Sequence, residues 1–323
     1  MSTALRSGRS DGDDVVVVGA GPIAAAVVNR LAAGPWHGLV RALPDLPEDA
    51  PGEALTGALA VVLVADPADL TLTTPGDSAE RRAAAVALAQ RAVAGARAAK
   101  VGQLVAVTSA MVHGAAPDRA VIRDDEPALT TPGLGLVGDL VAVESVLARA
   151  ARRGARGPRI LVLRPAAVVG PGVDTLVTRH FAAPRLLAVR GVERPWQLVH
   201  VDDVAAAVEV AVREGWSGSA TVAAEPVLHP DEVARIAGMR TIELAAVTAF
   251  GTAERLHRVG VLPAPAEELA FTVYPWTVEP ARLREAGWRP EHDGRACLDV
   301  LLAGVRGRRT DDAQPELDQP RVV

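Results

Sequence analysis

Short unbroken apolar runs separated by Ala-rich helical stretches dominate the first half of the chain. Val15-Val16-Val17-Val18 has no polar position, which marks a strand covered on both faces rather than one alternating between core and solvent. Ile23 to Ala33 follows with helical spacing. Leu39 to Leu43 reads as a weaker second strand, Ala60 to Val64 as a third, and Ser78 to Ala99 as a long helix with its arginines mostly on the polar side. The series continues with a strand over Leu104 to Val107, a helix over Val137 to Arg152 and a strand over Arg159 to Leu163, closed by Arg164-Pro165. Strands alternating with helices of this length imply right-handed βαβ units, so the expected fold class is α/β with a doubly wound parallel sheet.

After Gly170 the pattern loosens. Residues 171–200 mix Pro, Arg and aromatics, and Val204 to Arg213 reads as a helix whose N-terminus Asp202 or Asp203 caps. The expected organisation is a sheet domain over 14–170, completed by part of 198–225, with a smaller lobe mainly over 171–306. Residues 1–13 and 307–323 lose the apolar pattern and read as disordered ends.

The first strand runs straight into Gly19-Ala20-Gly21-Pro22-Ile23-Ala24, which fits G-x-G-x-x-A between a strand and a helix. In that setting Gly19 permits a tight turn and Gly21 lets the backbone approach a pyrophosphate. Ala24 allows close packing, and the helix N-terminus faces the anion. A Rossmann-type nucleotide site follows from strand, motif and helix in series. An acidic residue about 20 positions on would take an adenine ribose, and a basic one a 2′-phosphate. Asp45 suggests NAD and Arg41 suggests NADP, and neither stands cleanly at a strand tip. Ala65, just past the third strand, completes the candidate cofactor set.

Composition narrows the partners. The chain has 323 residues, 49% hydrophobic and 23% charged, with net charge −5 and no basic stripe, which argues against nucleic acid. Cys297 is the only cysteine, so no internal disulfide can form, and no His/Cys spacing suits a metal. Glycines and a proline break the apolar stretch from Val15 to Val28, so no membrane span is expected there. The polar first residues do not resemble a secretory leader, and cytoplasm is the expected compartment.

With these pieces in order, the chain resembles the extended short-chain dehydrogenase/reductase superfamily, in particular its NAD-dependent epimerase/dehydratase branch. Leu104 to Gly114 is similar to the family's strand ending in Ser-Ser-x-x-Val-Tyr-Gly. Leu163 to Gly172 resembles Arg-Pro-x-x-Val-x-Gly-Pro, Val199 to Ala205 resembles His-Val-x-Asp-Val, and Thr277 to Pro290 resembles the C-terminal helix and Gly-Trp-x-Pro turn. The resemblance implies bound NAD or NADP, a C-terminal substrate lobe, and a sugar nucleotide or other carbonyl or hydroxyl substrate. It also implies a possible homodimer through helices like 78–99 and 137–152.

The departures concern chemistry. The glycine loop is a residue shorter than the family's usual one. His113 stands where the strand motif has Tyr, and Leu59 replaces an aspartate that commonly contacts adenine. The family's Tyr-x-x-x-Lys pair aligns with Leu136 and Leu140. Tyr274 and Lys100 are the chain's only tyrosine and lysine, and both lie outside that helix.

The remaining candidates each have a bland alternative. Ser109 matches the family's serine beside the reacting oxygen, or it caps a local turn. His113 is a candidate acid or base near neutrality, or a polar loop residue. Arg164 either approaches an anionic ligand or forms a buried ion pair. Asp124-Asp125-Glu126 reads as a solvated loop. Trp196, Trp276 and Trp288 read as anchors of the small lobe or as pocket walls. Three functions stay open: an oxidoreductase or epimerase-like enzyme, a non-catalytic dinucleotide sensor or partner subunit, and an atypical reductase using His113 or Ser109.

Overall fold

The computed structural model describes residues 13–66, 78–152, 157–260 and 265–312. Most of the expected disordered ends, 1–12 and 313–323, lies outside them. Strand β1 (Asp14–Val18) leads through the glycine loop into α1 (Pro22–Ala33), followed by β2 (Val40–Leu43), α2 (Pro51–Ala54) and β3 (Ala58–Val64). Next come α3 (Ser78–Ala98), β4 (Gln103–Val107), α4 (Gly135–Arg152) and β5 (Arg159–Pro165). The second half holds β6 (Ala167–Val169), α5 (Leu176–Ala182), β7 (Leu186–Val189), β8 (Leu198–His200), α6 (Val201–Glu214), β9 (Gly218–Val222) and α7 (Pro230–Ala237). The chain continues with β10 (Thr241–Leu244), α8 (Ala246–Arg258), α9 (Ala270–Val273), α10 (Ala281–Glu285) and α11 (Gly294–Asp312).

The main sheet has six strands in the order β2-β1-β3-β4-β5-β9, every pairing parallel. The valine run explains its two-sided cover. Val15 to Val18 are fully buried, but successive side chains point to opposite faces. Val16 and Val18 join the core under α3 and α4, whereas Val15 and Val17 join the core under α1 and α6. Burying each such side chain contributes about 1.5–3 kcal/mol, which is why polar alternation is absent. Among the described residues no helix is long and apolar enough to cross a membrane.

Two further parallel pairs, β6 with β8 and β7 with β10, lie beside the main sheet. They carry the irregular segments of the second half.

The structure corrects three local expectations: the cap of α6, the start of the tail and the acidic run at 124–126. Helix α6 begins at Val201, and the side chain of His200 caps it, its Nδ1 accepting the Asp202 N–H at 3.2 Å. Asp203 instead accepts the backbone N–H groups of Glu291 and His292 at 2.6 and 3.1 Å, tying α6 to the segment before α11. The last helix runs on through 307–312, which the polarity of that stretch assigned to a disordered tail.

The acidic run at 124–126 is likewise more than a solvated loop. Asp124 accepts the N–H and hydroxyl of Thr221 at 2.6 and 2.9 Å and the Arg282 N–H at 2.8 Å, fastening β9 to α10. Asp124→Ala would strand these donors, and we expect a loss of about 1–3 kcal/mol in unfolding free energy, read by urea denaturation. A change no larger than that of Asp125→Ala, whose side chain is exposed, would show that the contacts contribute nothing.

Candidate functional site

Parallel sheets of this order gather loops at the C-terminal strand edges, and the sequence-predicted residues divide around that rim. Gly19 has φ of +145°, and a Cβ there would lie 3.1 Å from the Val64 Cβ and 3.3 Å from the Ala24 Cβ. The loop is therefore pressed between the end of β3 and the first turn of α1, as only glycine allows. Gly21 is the N-cap of α1, Pro22 occupies the first turn, and that turn carries no acidic residue, so the helix end is open to an anion electrostatically. Ala20 is exposed while Gly21, Ile23 and Ala24 are buried. Ala65 is buried at the end of β3, its N–H bonded to the Val107 carbonyl at 2.8 Å.

The two charges weighed for the ribose end sit differently. Arg41 lies inside β2, paired in register with Val16. Its guanidinium donates to the Ala54 and Thr56 carbonyls, both at 2.9 Å, and lies 3.0 Å from Asp14. Those contacts hold it to the α2 segment and away from the glycine loop. Asp45 follows the tip of β2 and accepts from the Leu46 N–H and from Arg91, each at 2.6 Å.

Ser109 caps the local turn, as one of its two readings expected. Its hydroxyl accepts the Met111 N–H at 3.4 Å, capping the 3₁₀ turn Ala110–His113, and donates to the Pro165 carbonyl at 3.5 Å. It also lines a cavity of about 20 Å³ walled by Met111, Ala167, Thr175 and Trp276, so the tryptophan is a pocket wall.

His113 does not titrate near neutrality. Its ring is buried, Nδ1 lies 3.2 Å from the Pro127 carbonyl, and Nε2 lies 3.3 Å from the Arg164 Nη1. The guanidinium can only donate, so Nε2 must accept and the ring proton resides on Nδ1. Burial, and then the Arg164 charge, lower its pKa from 6.5 to about 4. Both ring nitrogens are engaged in structure, one with the Pro127 carbonyl and one with Arg164.

This arrangement has a pH consequence. Between pH 6.5 and about 4 the unfolded chain binds a proton that folded His113 refuses. The stabilisation is fully present above this window and falls as pH drops through it. His180, lowered to about 3 chiefly by burial, acts in the same direction. We expect His113→Gln to flatten part of the fall in urea midpoint between pH 7 and pH 4. An unchanged pH slope would contradict the burial account.

Arg164 resolves toward the ion pair. It donates to Glu144 through Nη2 at 2.7 Å and Nε at 3.1 Å, and to the Glu126 carbonyl at 2.9 Å. Thr108 donates to the same Glu144 at 2.7 Å. The chain's only phenol and ammonium are elsewhere. Lys100 is exposed in the turn before β4, at the end of that strand opposite Ser109. Tyr274 stacks on Phe250 with ring centroids 5.5 Å apart and lines a different cleft. On α4, Leu136 is 8% exposed and Leu140 is fully buried.

One residue escaped the sequence reading. Arg194 is buried, with its guanidinium carbon 3.2 Å from the centre of the Trp196 ring and Nη2 donating to the Phe271 carbonyl at 2.7 Å. Its Nε and Nη1 have no hydrogen-bond partner among the described residues, nor does the His180 Nε2 nearby. Burial pulls the Arg194 pKa well below the usual arginine value, as expected of a cation without a counter-charge. Only its place just before the Val199–Ala205 signature could have marked it, and in an arginine-rich chain that is faint.

The comparisons bear on the fold. No protein-family model matches the chain. Uncharacterized proteins of Mycobacterium tuberculosis and Mycobacterium bovis are 25% identical over 212 residues, covering 64% of this chain and 56% of theirs. The chain thus spans about half the length of the curated relatives it matches. Among solved structures, MoeE5 in complex with UDP-glucuronic acid and NAD matches at TM-score 0.66 and 20% identity, over 92% of this chain and 100% of that one. DesIV, a dTDP-glucose 4,6-dehydratase of Streptomyces venezuelae with NAD and TYD bound, matches at 0.66 and 18%, over 94% and 99%. The UDP-glucose 4-epimerase of Thermus thermophilus in complex with NAD matches at 0.64 and 18%, over 91% and 99%. At these identities the likeness establishes a fold shared with these solved proteins.

Proposed function

We propose that this protein binds NAD or NADP at the Gly19–Ala24 loop but does not run the proton-coupled hydride transfer usual for its fold. The observation that carries the reading is the pair Leu136 and Leu140, aliphatic and buried on α4. Bound there, a nicotinamide would supply hydride exchange. What the chain must add is a group that takes or gives the substrate's hydroxyl proton, and leucine can do neither. Positioned acid–base groups typically contribute 10²–10⁴-fold, so little rate survives their loss. Ser109 accepts the Met111 N–H and donates its one hydroxyl proton to the Pro165 carbonyl, so it is engaged in the local turn. Burial and then the Arg164 charge favour the neutral form of His113, which weighs against an atypical reductase built on that histidine.

A phosphate-bearing second ligand, such as a sugar nucleotide, is supported by Arg194. A buried guanidinium with two unpartnered nitrogens is costly, and an anion would satisfy both. The solved relatives bound to nucleotide ligands favour the same class. A sensor or partner subunit that registers dinucleotide and nucleotide together fits these residues better than a turnover enzyme.

The test is titration of the purified protein with NADH and NADPH, following nicotinamide fluorescence and thermal shift, and then assay of sugar nucleotides for turnover. We expect saturable binding without turnover. Any turnover would overturn the non-catalytic reading, turnover lost in His113→Gln or Ser109→Ala would assign the chemistry to that residue, and absence of any binding would overturn the cofactor site.

A further inference from the structure

A wide cavity lies away from the Ser109 rim. A cleft of about 910 Å³ is bounded by the loop before α4, by α8 and by the segment from Ala266 to Tyr274. It shares no lining residue with the small Ser109 cavity. The two are parted by Phe271, which lines the cleft, and Trp276, which lines the cavity. These rings meet edge to face at 5.6 Å, and the Phe271 carbonyl accepts from both Trp276 Nε1 and Arg194.

Its lining is chemically distinctive. The chain has three phenylalanines and one tyrosine; Phe250, Phe271 and Tyr274 all face this cleft. Leu129 and Leu134 at its edge are 47% and 60% exposed, an unusual cost for leucine outside a binding surface. The volume lies within the roughly 300–1,000 Å³ typical of small-molecule sites.

Charge narrows the ligand. Arg82, the lining cation, is engaged through Nε with Asp139 at 2.9 Å and through Nη2 with the Gly133 carbonyl at 2.6 Å. The lining carboxylates are Glu254, paired with Arg258 at 3.1 Å, and Glu267, which is exposed. Nothing here neutralises a phosphate, and two carboxylates repel one. No buried unpaired carboxylate calls for a cation either.

We propose that this cleft binds an uncharged aromatic or alicyclic small molecule, which packs on the Phe250–Tyr274 stack with the Tyr274 hydroxyl as its polar contact. The site stands independently of the dinucleotide loop. It gives the protein a second input, chemically unlike a nucleotide and separated from the Ser109 rim by one aromatic wall.

Gly251 offers a clean test, because a Cβ added there meets nothing within 4 Å. Gly251→Phe therefore fills the cleft without straining α8. The probe is N-phenylnaphthylamine, an uncharged aromatic whose fluorescence rises in apolar sites, titrated into the full chain. We expect saturable one-to-one binding, weakened at least about tenfold by Gly251→Phe and by Phe250→Ala, with NADH binding unchanged in Gly251→Phe and no competition from UDP-glucose. Equal probe affinity in both variants would overturn the proposal, as would displacement of the probe by UDP-glucose. A parent that ignores the probe but is dimeric, and becomes monomeric as Gly251→Phe, would also overturn it by assigning the face to a second copy.

Discussion

Glu144→Ala should lower the unfolding free energy by about 3–5 kcal/mol, a large share of what a chain of this kind possesses. Glu144 is 6% and Arg164 7% exposed, and the pair joins α4 to β5 while also receiving the Thr108 hydroxyl. Removing the carboxylate leaves a guanidinium buried without counter-charge, and that residual cation accounts for most of the loss. Glu144→Gln keeps the shape and should cost less. Replacing both partners by apolar residues of similar volume should recover much of the deficit, because no charge is then stranded. Urea denaturation of the three variants separates these cases. A loss below about 1 kcal/mol for Glu144→Ala would mean that water reaches the pair and screens it.

Gly19→Val should weaken NADH binding by roughly 100-fold, about 2.7 kcal/mol, while leaving the sheet folded. Two effects act together. The φ of +145° is one that side-chain-bearing residues rarely adopt, and the new Cβ crowds both Val64 and Ala24. The loop must shift, and a shift of a few tenths of an ångström moves the amides that would meet a diphosphate. Circular dichroism and a thermal scan would establish that the variant folds. Unchanged affinity in a folded Gly19→Val protein would place the dinucleotide elsewhere.

The sheet was largely legible because valine runs and Ala-rich stretches record burial on two faces directly. The glycine loop was legible for the same local reason: turn, helix start and motif coincide within six residues. The two leucines were legible as an absence, since no tyrosine or lysine exists nearby to take their place. What the chain could not display was pairing over distance. The neutrality of His113 depends on Arg164, 51 positions away, which is itself held by Glu144. Asp124 looked solvated because its partners, Thr221 and Arg282, lie 97 and 158 positions on. Asp202 or Asp203 was assigned to a cap on local rules, but His200 took that place and Asp203 clamps the Glu291–His292 backbone instead. Arg194 carries no local mark separating it from the other arginines, and only its buried, unpartnered nitrogens single it out.

The most direct test of the account is a crystal structure of the protein grown with NADH. It predicts the diphosphate against the backbone of Gly19 to Ala24, with the nicotinamide facing Ser109 and the leucines of α4. Neither the Tyr274 hydroxyl nor the Lys100 ammonium would lie near the reactive carbon. A dinucleotide bound away from that loop, or a phenol brought over the nicotinamide by closure of the lobe, would contradict it.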